Sequence, residues 1–229
     1  MSLKSVAQIR TRIRRWNEFL EFARAHPSPG WVFRGQSQRW ALKPTVGRTA
    51  GYKPERELQL FREFKRLASP LLDRSQLLNE WDWLFVAQHH GLPTRLLDWT
   101  TNPLIAAYFA CSGLRNGEVI AVKTSDIGLL EIGSPQETPF EVISTQFIYP
   151  TAVAARIASQ RGLFSVHANP NKNWILRDKT VRFPIEAPVK SAFRDYLYGL
   201  GVDAAMVMAD LDGLAANLRW RYQEKRQLT

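Results

Sequence analysis

Residues 83–110, WLFVAQHHGLPTRLLDWTTNPLIAAYFA, constrain this chain more than any other stretch. Two apolar helical runs enclose a segment that holds two histidines, an arginine, an aspartate, three threonines, an asparagine and two prolines. Polar residues this dense between hydrophobic anchors read as the rigid wall of a site. The first run predicts a helix capped by Ser75, with Leu77, Leu78, Trp81, Leu84, Phe85 and Gln88 on one face. Gly91 supplies its left-handed C-terminal cap and Pro93 forbids continuation. His89 and His90 then fall in the last turn. Neighbours on a helix diverge by about 100°, so both cannot face one ligand equally.

Residues 93–99 are extended or turned. Thr101 or Asn102 caps the next helix, and Pro103 is its first residue. Leu104–Cys111 is apolar nearly all round, which predicts burial on most sides. The backbone N–H groups at its start, beside Arg95, Thr100 and Thr101, form either an anion site or an ordinary capped core helix. Cys111 reads as core.

Upstream, Val6, Ile9, Ile13, Trp16, Leu20 and Ala23 share one face of a predicted helix over 5–25, which residues 26–30 (HPSPG) stop. Trp31–Gln36 reads as a strand running into a turn. Arg34 follows two large apolar residues, where its guanidinium fork can bind a carboxylate or phosphate, or form a structural ion pair. Gly35 lets a backbone or a ligand come close. A short strand over 40–45 and a helix over 54–68 follow. Downstream, strands are expected over 117–124, 140–149, 163–167 and 180–186. Helices are expected over 151–160, 188–200 and 203–222, the last starting as a short strand over 204–208.

This pattern predicts one α+β domain, a central mixed or antiparallel sheet of short strands flanked by helices. Charge is distributed unevenly. Residues 1–66 carry fifteen Lys/Arg against five Asp/Glu, and the rest of the chain is balanced, so the net charge of +10 lies in the first third. That asymmetry fits either an anionic partner, nucleic acid included, or a solvated arginine-rich face. No run approaches the roughly 18 apolar residues that span a bilayer. A lone cysteine and no apolar leader imply a cytoplasmic protein that is not membrane-bound. His89, His90, Asp98 and His167 lack metal-ligand spacing, so no metal is expected. A P-loop, a Rossmann fingerprint and a nucleophile elbow are absent.

Phe33-Arg34-Gly35 together with residues 88–100 (QHHGLPTRLLDWT) resembles the FRG domain, and residues 156–164 (RIASQRGLF) are similar to a later segment of that family. The resemblance runs from about Trp31 to about Leu218. It implies a basic N-terminal helix over 1–30, an FRG-like domain over 31–218 and a basic tail over 219–229. The family's occurrence in bacterial and phage proteins implies a defence or toxin setting. A fainter resemblance is to ADP-ribosyltransferases. A strand ending in Phe-Arg-Gly is similar to their first motif, and Trp99-Thr100-Thr101 before Ala106–Ala110 is similar to their second. This implies an ADP-ribosyltransferase-like fold with NAD as cofactor. Arg34, Gly35, Arg95, Thr100 and Thr101 would bind it, and His89, Asp98 and Gln160 would serve catalysis. The third motif's glutamate has no clear counterpart; Gln160, Glu141 and Glu186 are the candidates.

Overall fold

The computed structural model describes residues 3–72, 79–132, 138–150 and 160–226. Within these the chain forms α1 (Leu3–Ala25), β1 (Trp31–Gln36), α2 (Pro54–Ala68), α3 (Glu80–His89), β2 (Leu96–Thr100), α4 (Pro103–Ala110) and β3 (Gly117–Lys123). There follow β4 (Gln146–Ile148), β5 (Gly162–Val166), β6 (Thr180–Ile185), α5 (Lys190–Gly199), α6 (Ala204–Met208) and α7 (Leu211–Gln223). The strands make one six-stranded sheet in the order β4-β5-β2-β1-β3-β6, every ladder antiparallel. The fold is α+β, as the sequence pattern implies.

Strand alternation sorts the core onto two faces. Phe33 of β1 joins α1, α4 and α5 residues, among them Phe19, Ile105 and Phe193. Leu96 of β2 joins α2 and α3 on that side, against Phe61 and Phe85. The neighbouring positions, Val32, Leu97 and Trp99, bury on the opposite face, where irregular chain around Leu42 and Leu176 covers them. Helices therefore line one face and coil covers the other.

The central join of the sheet is its thinnest. β1 pairs with β3 along its whole length, from Trp31↔Lys123 to Gln36↔Glu118. β2 pairs with β5 along its whole length too. Between β1 and β2 the register holds only one pair, Phe33↔Thr100. The strands diverge from there, and α4 lies across the gap. Gly35 permits this crossing: a Cβ built on it would stand 1.8 Å from the Ala106 carbonyl oxygen.

Several local expectations change. Residues 40–45 form no strand. Leu42 plugs the coil-covered core from an irregular segment held by Trp174 N–H donating to the Leu42 carbonyl. Only Gln146–Ile148 of the expected strand over 140–149 is extended, and Ile143 is 96% exposed. Residues 204–208 are helical, not a strand, because Asp203 caps them by accepting from Met206 N–H. Asn79, in a reciprocal capping box with Asp82, starts α3 at Glu80. The expected cap, Ser75, lies outside the described residues, as does the expected helix over 151–160 except for Gln160, which is in a turn. The buried stripe of α1 is Trp16, Phe19 and Phe22, while Ile9 and Ile13 face solvent. α7 continues to Gln223, so it takes in the start of the stretch assigned to a basic tail.

Candidate functional site

The divergence of β1 and β2 leaves a hollow of about 180 Å3. Phe33, Arg34 and Gly35 line it from β1, Asp98, Trp99 and Thr100 from β2, Ile105 and Phe109 from α4, and Gln160 from the turn before β5. A smaller recess of about 50 Å3 adjoins it, sharing Asp98, Trp99 and Gln160 and adding Gln88 and His89. Seven of the eight site residues expected from the sequence lie in or beside this region. Arg95 does not.

Arg34 sits where the ladder fails. Its Nη1 donates to the backbone carbonyl of Asp98 at 2.7 Å and stands 3.7 Å from the Asp98 carboxylate. The side chain thus satisfies a strand carbonyl that β1 does not reach. The side chain is only 15% exposed, and its Nε is buried without a partner. Burial lowers the guanidinium's pKa from its ordinary value, and Asp98 opposes that shift. An arginine remains charged regardless. The result is a largely buried cation with an unused buried donor, Nε, on the wall of a cavity.

Asp98 is the carboxylate of the site. Its side chain is 60% exposed. Gln88 Nε2 donates to both its oxygens, at 3.2 and 3.1 Å. Glu141 and Glu186 do not line either recess. Glu186 instead binds Arg15 of α1. Gln160 does line both, and its Nε2 is fixed by donating to the Val207 carbonyl at 3.0 Å.

Thr100 and α4 are more occupied than the sequence suggests. The Thr100 hydroxyl donates to the Gln160 carbonyl and accepts from Asn102 N–H. Asn102 caps α4 by accepting from Leu104 N–H at 2.9 Å. The first N–H groups at this end are thereby engaged, which weakens the expected anion site there. Thr101 N–H donates to the Arg161 carbonyl. Both threonines therefore join β2 to the turn before β5, and Thr100 alone of the two lines the hollow.

Arg95 points away from the cleft. It is 4% exposed and forks onto Glu57 of α2 through Nε at 2.9 Å and Nη2 at 2.7 Å, while Nη1 donates to the Pro139 carbonyl. Tyr52 also donates to Glu57, and burial raises the Tyr52 pKa. Fully committed in this way, Arg95 ties α2 to β2.

Behind the hollow runs a buried polar chain of Trp99, Ser165 and His167. Trp99 Nε1 donates to Ser165 Oγ at 3.0 Å, and that hydroxyl hydrogen-bonds His167 Nε2 at 2.9 Å. Burial first, then Arg34 and Arg95, push the His167 pKa down to about 3. His167 is a neutral structural histidine, and its alternation with Ser165 along β5 and its end is the available signal. Among the described residues no three His, Cys, Asp or Glu converge as a metal site, and no helix is long and apolar enough to cross a membrane.

An FRG domain is present in residues 29–118. This stretch includes Arg34, Gly35, His89, Asp98 and Thr100 and ends within β3, so Gln160 and His167 lie outside it. No curated protein and no solved structure matches the chain.

Proposed function

We propose that the cleft between β1 and β2 binds the nicotinamide end of an NAD-type dinucleotide, with chemistry of the ADP-ribosyltransferase kind, in a bacterial defence or toxin setting. The observation that carries this reading is the largely buried, under-used guanidinium of Arg34 beside an aromatic-walled hollow. Unsatisfied buried donors are costly, so such a group calls for an acceptor. A phosphate or carboxamide oxygen would serve. Sites for drug-sized ligands span roughly 300–1,000 Å3. A hollow of about 180 Å3 therefore holds one ring with part of its ribose, and the rest of the dinucleotide lies across the open surface.

In the transfer, the bond from ribose C1′ to the pyridine nitrogen breaks and nicotinamide leaves with the electron pair. The acceptor's nucleophilic atom bonds to C1′ and gives up its proton. Positive charge builds on the sugar between these events, as in glycoside hydrolysis. Asp98 supplies the fixed negative charge for that stage, in the role a glutamate would otherwise fill. Gln160, which lines both recesses, and His89, in the smaller one, would orient the ribose. Gly35 shapes the floor of the hollow, and Thr100 and Thr101 hold the β2–α4 corner. Incubation with NAD should release free nicotinamide, and Arg34→Ala should abolish the release. Absence of release, with no NAD-dependent rise in melting temperature, overturns the reading.

A second reading is a non-catalytic module that binds nucleic acid through residues 1–66. Arg10, Arg24, Arg56 and Arg62 favour it, being exposed and in no ion pair among the described residues. Binding through many phosphates weakens steeply with salt. Binding of a nucleotide at one largely buried arginine weakens far less, so a salt titration separates the two.

A further inference from the structure

The orientation of Asp98 is set by a directed chain of hydrogen bonds that starts on the backbone. Leu96 N–H donates to Thr94 Oγ1 at 3.1 Å, and Thr94 Oγ1 lies 2.5 Å from Gln88 Oε1. The threonine hydroxyl has one hydrogen, and its lone pair already accepts from Leu96. Its proton therefore goes to Gln88 Oε1. This fixes the glutamine amide with its oxygen toward Thr94 and its NH2 toward Asp98, where Nε2 reaches both carboxylate oxygens. Thr94 is buried, so the chain is anchored inside the protein, while its last member is mostly exposed at the cleft.

From these contacts we infer that Gln88 and Thr94 are positioning residues for Asp98, and that Asp98 is the hydroxyl-accepting residue of the cleft. Resting on the nucleotide reading above, this assigns the ribose hydroxyls to Asp98 and excludes a phosphate there. The carboxylate is an acceptor only, and it is held from behind by donors. Its remaining lone pairs can take O–H donors from a ligand. A phosphate brought to the same place would meet like charge. A sugar that offers hydroxyls beside a flat ring is thus the chemical class the cleft selects.

Two measurements test this. On the free protein, three-bond couplings report the χ1 rotamer of Asp98. A single rotamer is expected in the wild type and in Thr94→Ser, which keeps the hydroxyl, and averaging is expected in Thr94→Val and Gln88→Met. With ligand, calorimetry compares nicotinamide riboside with 1-methylnicotinamide, which carries the same pyridinium charge and no hydroxyls. The wild type and Thr94→Ser should prefer the riboside by about tenfold, the worth of one charge-assisted hydrogen bond. Gln88→Met and Asp98→Ala should lose most of that preference. An unchanged Asp98 rotamer in Gln88→Met overturns the inference whatever the ligand does. An averaged rotamer with the riboside preference intact overturns the hydroxyl assignment. A wild type that binds neither compound overturns the nicotinamide reading and with it the hydroxyl assignment, while the rotamer result still decides the positioning role. If Thr94→Val fails to fold, Gln88→Met alone decides that role.

Discussion

His167 shows how a single residue's surroundings set its chemistry. Its pKa falls from 6.5 to about 3 because burial and two nearby arginines disfavour the imidazolium. Between those values the unfolded chain binds a proton that the folded protein refuses. Stability from this group is therefore whole above about pH 6.5 and is lost as pH falls toward 3, with a limiting slope of about 1.4 kcal/mol per pH unit. Chemical denaturation at pH 7, 6, 5 and 4 should show this decline, and His167→Gln should flatten it. Arg95 makes a different point. Glu57→Ala strands its guanidinium in the interior, and loss of one partner of a buried pair costs about 3–5 kcal/mol. Urea unfolding should record that loss, and the residual folded Glu57→Ala protein should still respond to NAD. A selective loss of the NAD response at unchanged stability would return Arg95 to the site. The sequence does not distinguish Arg95 from Arg34 in this respect. Both follow or precede apolar strand residues, but Glu57 lies 38 positions away and only tertiary packing brings it to Arg95.

Among elements, β1 and α4 are the most legible in the sequence, because local chemistry dictates them. Asn102 and Pro103 set the start of α4 whatever surrounds it, and Trp31–Gln36 has the apolar content of a strand. Gly35 marks a place of close approach, and the approaching group is the α4 backbone. Gly35→Ala must push α4 from the sheet and should cost at least about 1–3 kcal/mol, measured by denaturant unfolding. Asn102→Ala removes one cap bond and should cost about 1 kcal/mol. The coil over 37–45 imitates a strand in part, because Leu42 buries from irregular backbone and periodicity cannot separate that from a strand. In α1 the apolar residues at 6, 9 and 13 imitate a core stripe. The core begins only at Trp16, where α5 and the turn before it supply contacts.

At the scale of the whole molecule, the sheet is two well-paired halves joined by one register pair, and the cleft is the consequence of that weak join. The α+β class is legible from alternating short strands and amphipathic helices. The split is not, because strand pairing is a relation between distant residues. Conserving the split while removing its cation isolates the central claim, that Arg34 holds an acceptor atom of a nicotinamide nucleotide in the hollow. The most direct measurement is calorimetric titration of NAD into the wild type and into Arg34→Ala, with both proteins shown to be folded. Saturable one-to-one binding by the wild type, weakened at least about tenfold in Arg34→Ala, is the predicted result. Equal affinity in the two proteins, or none in the wild type, would contradict it.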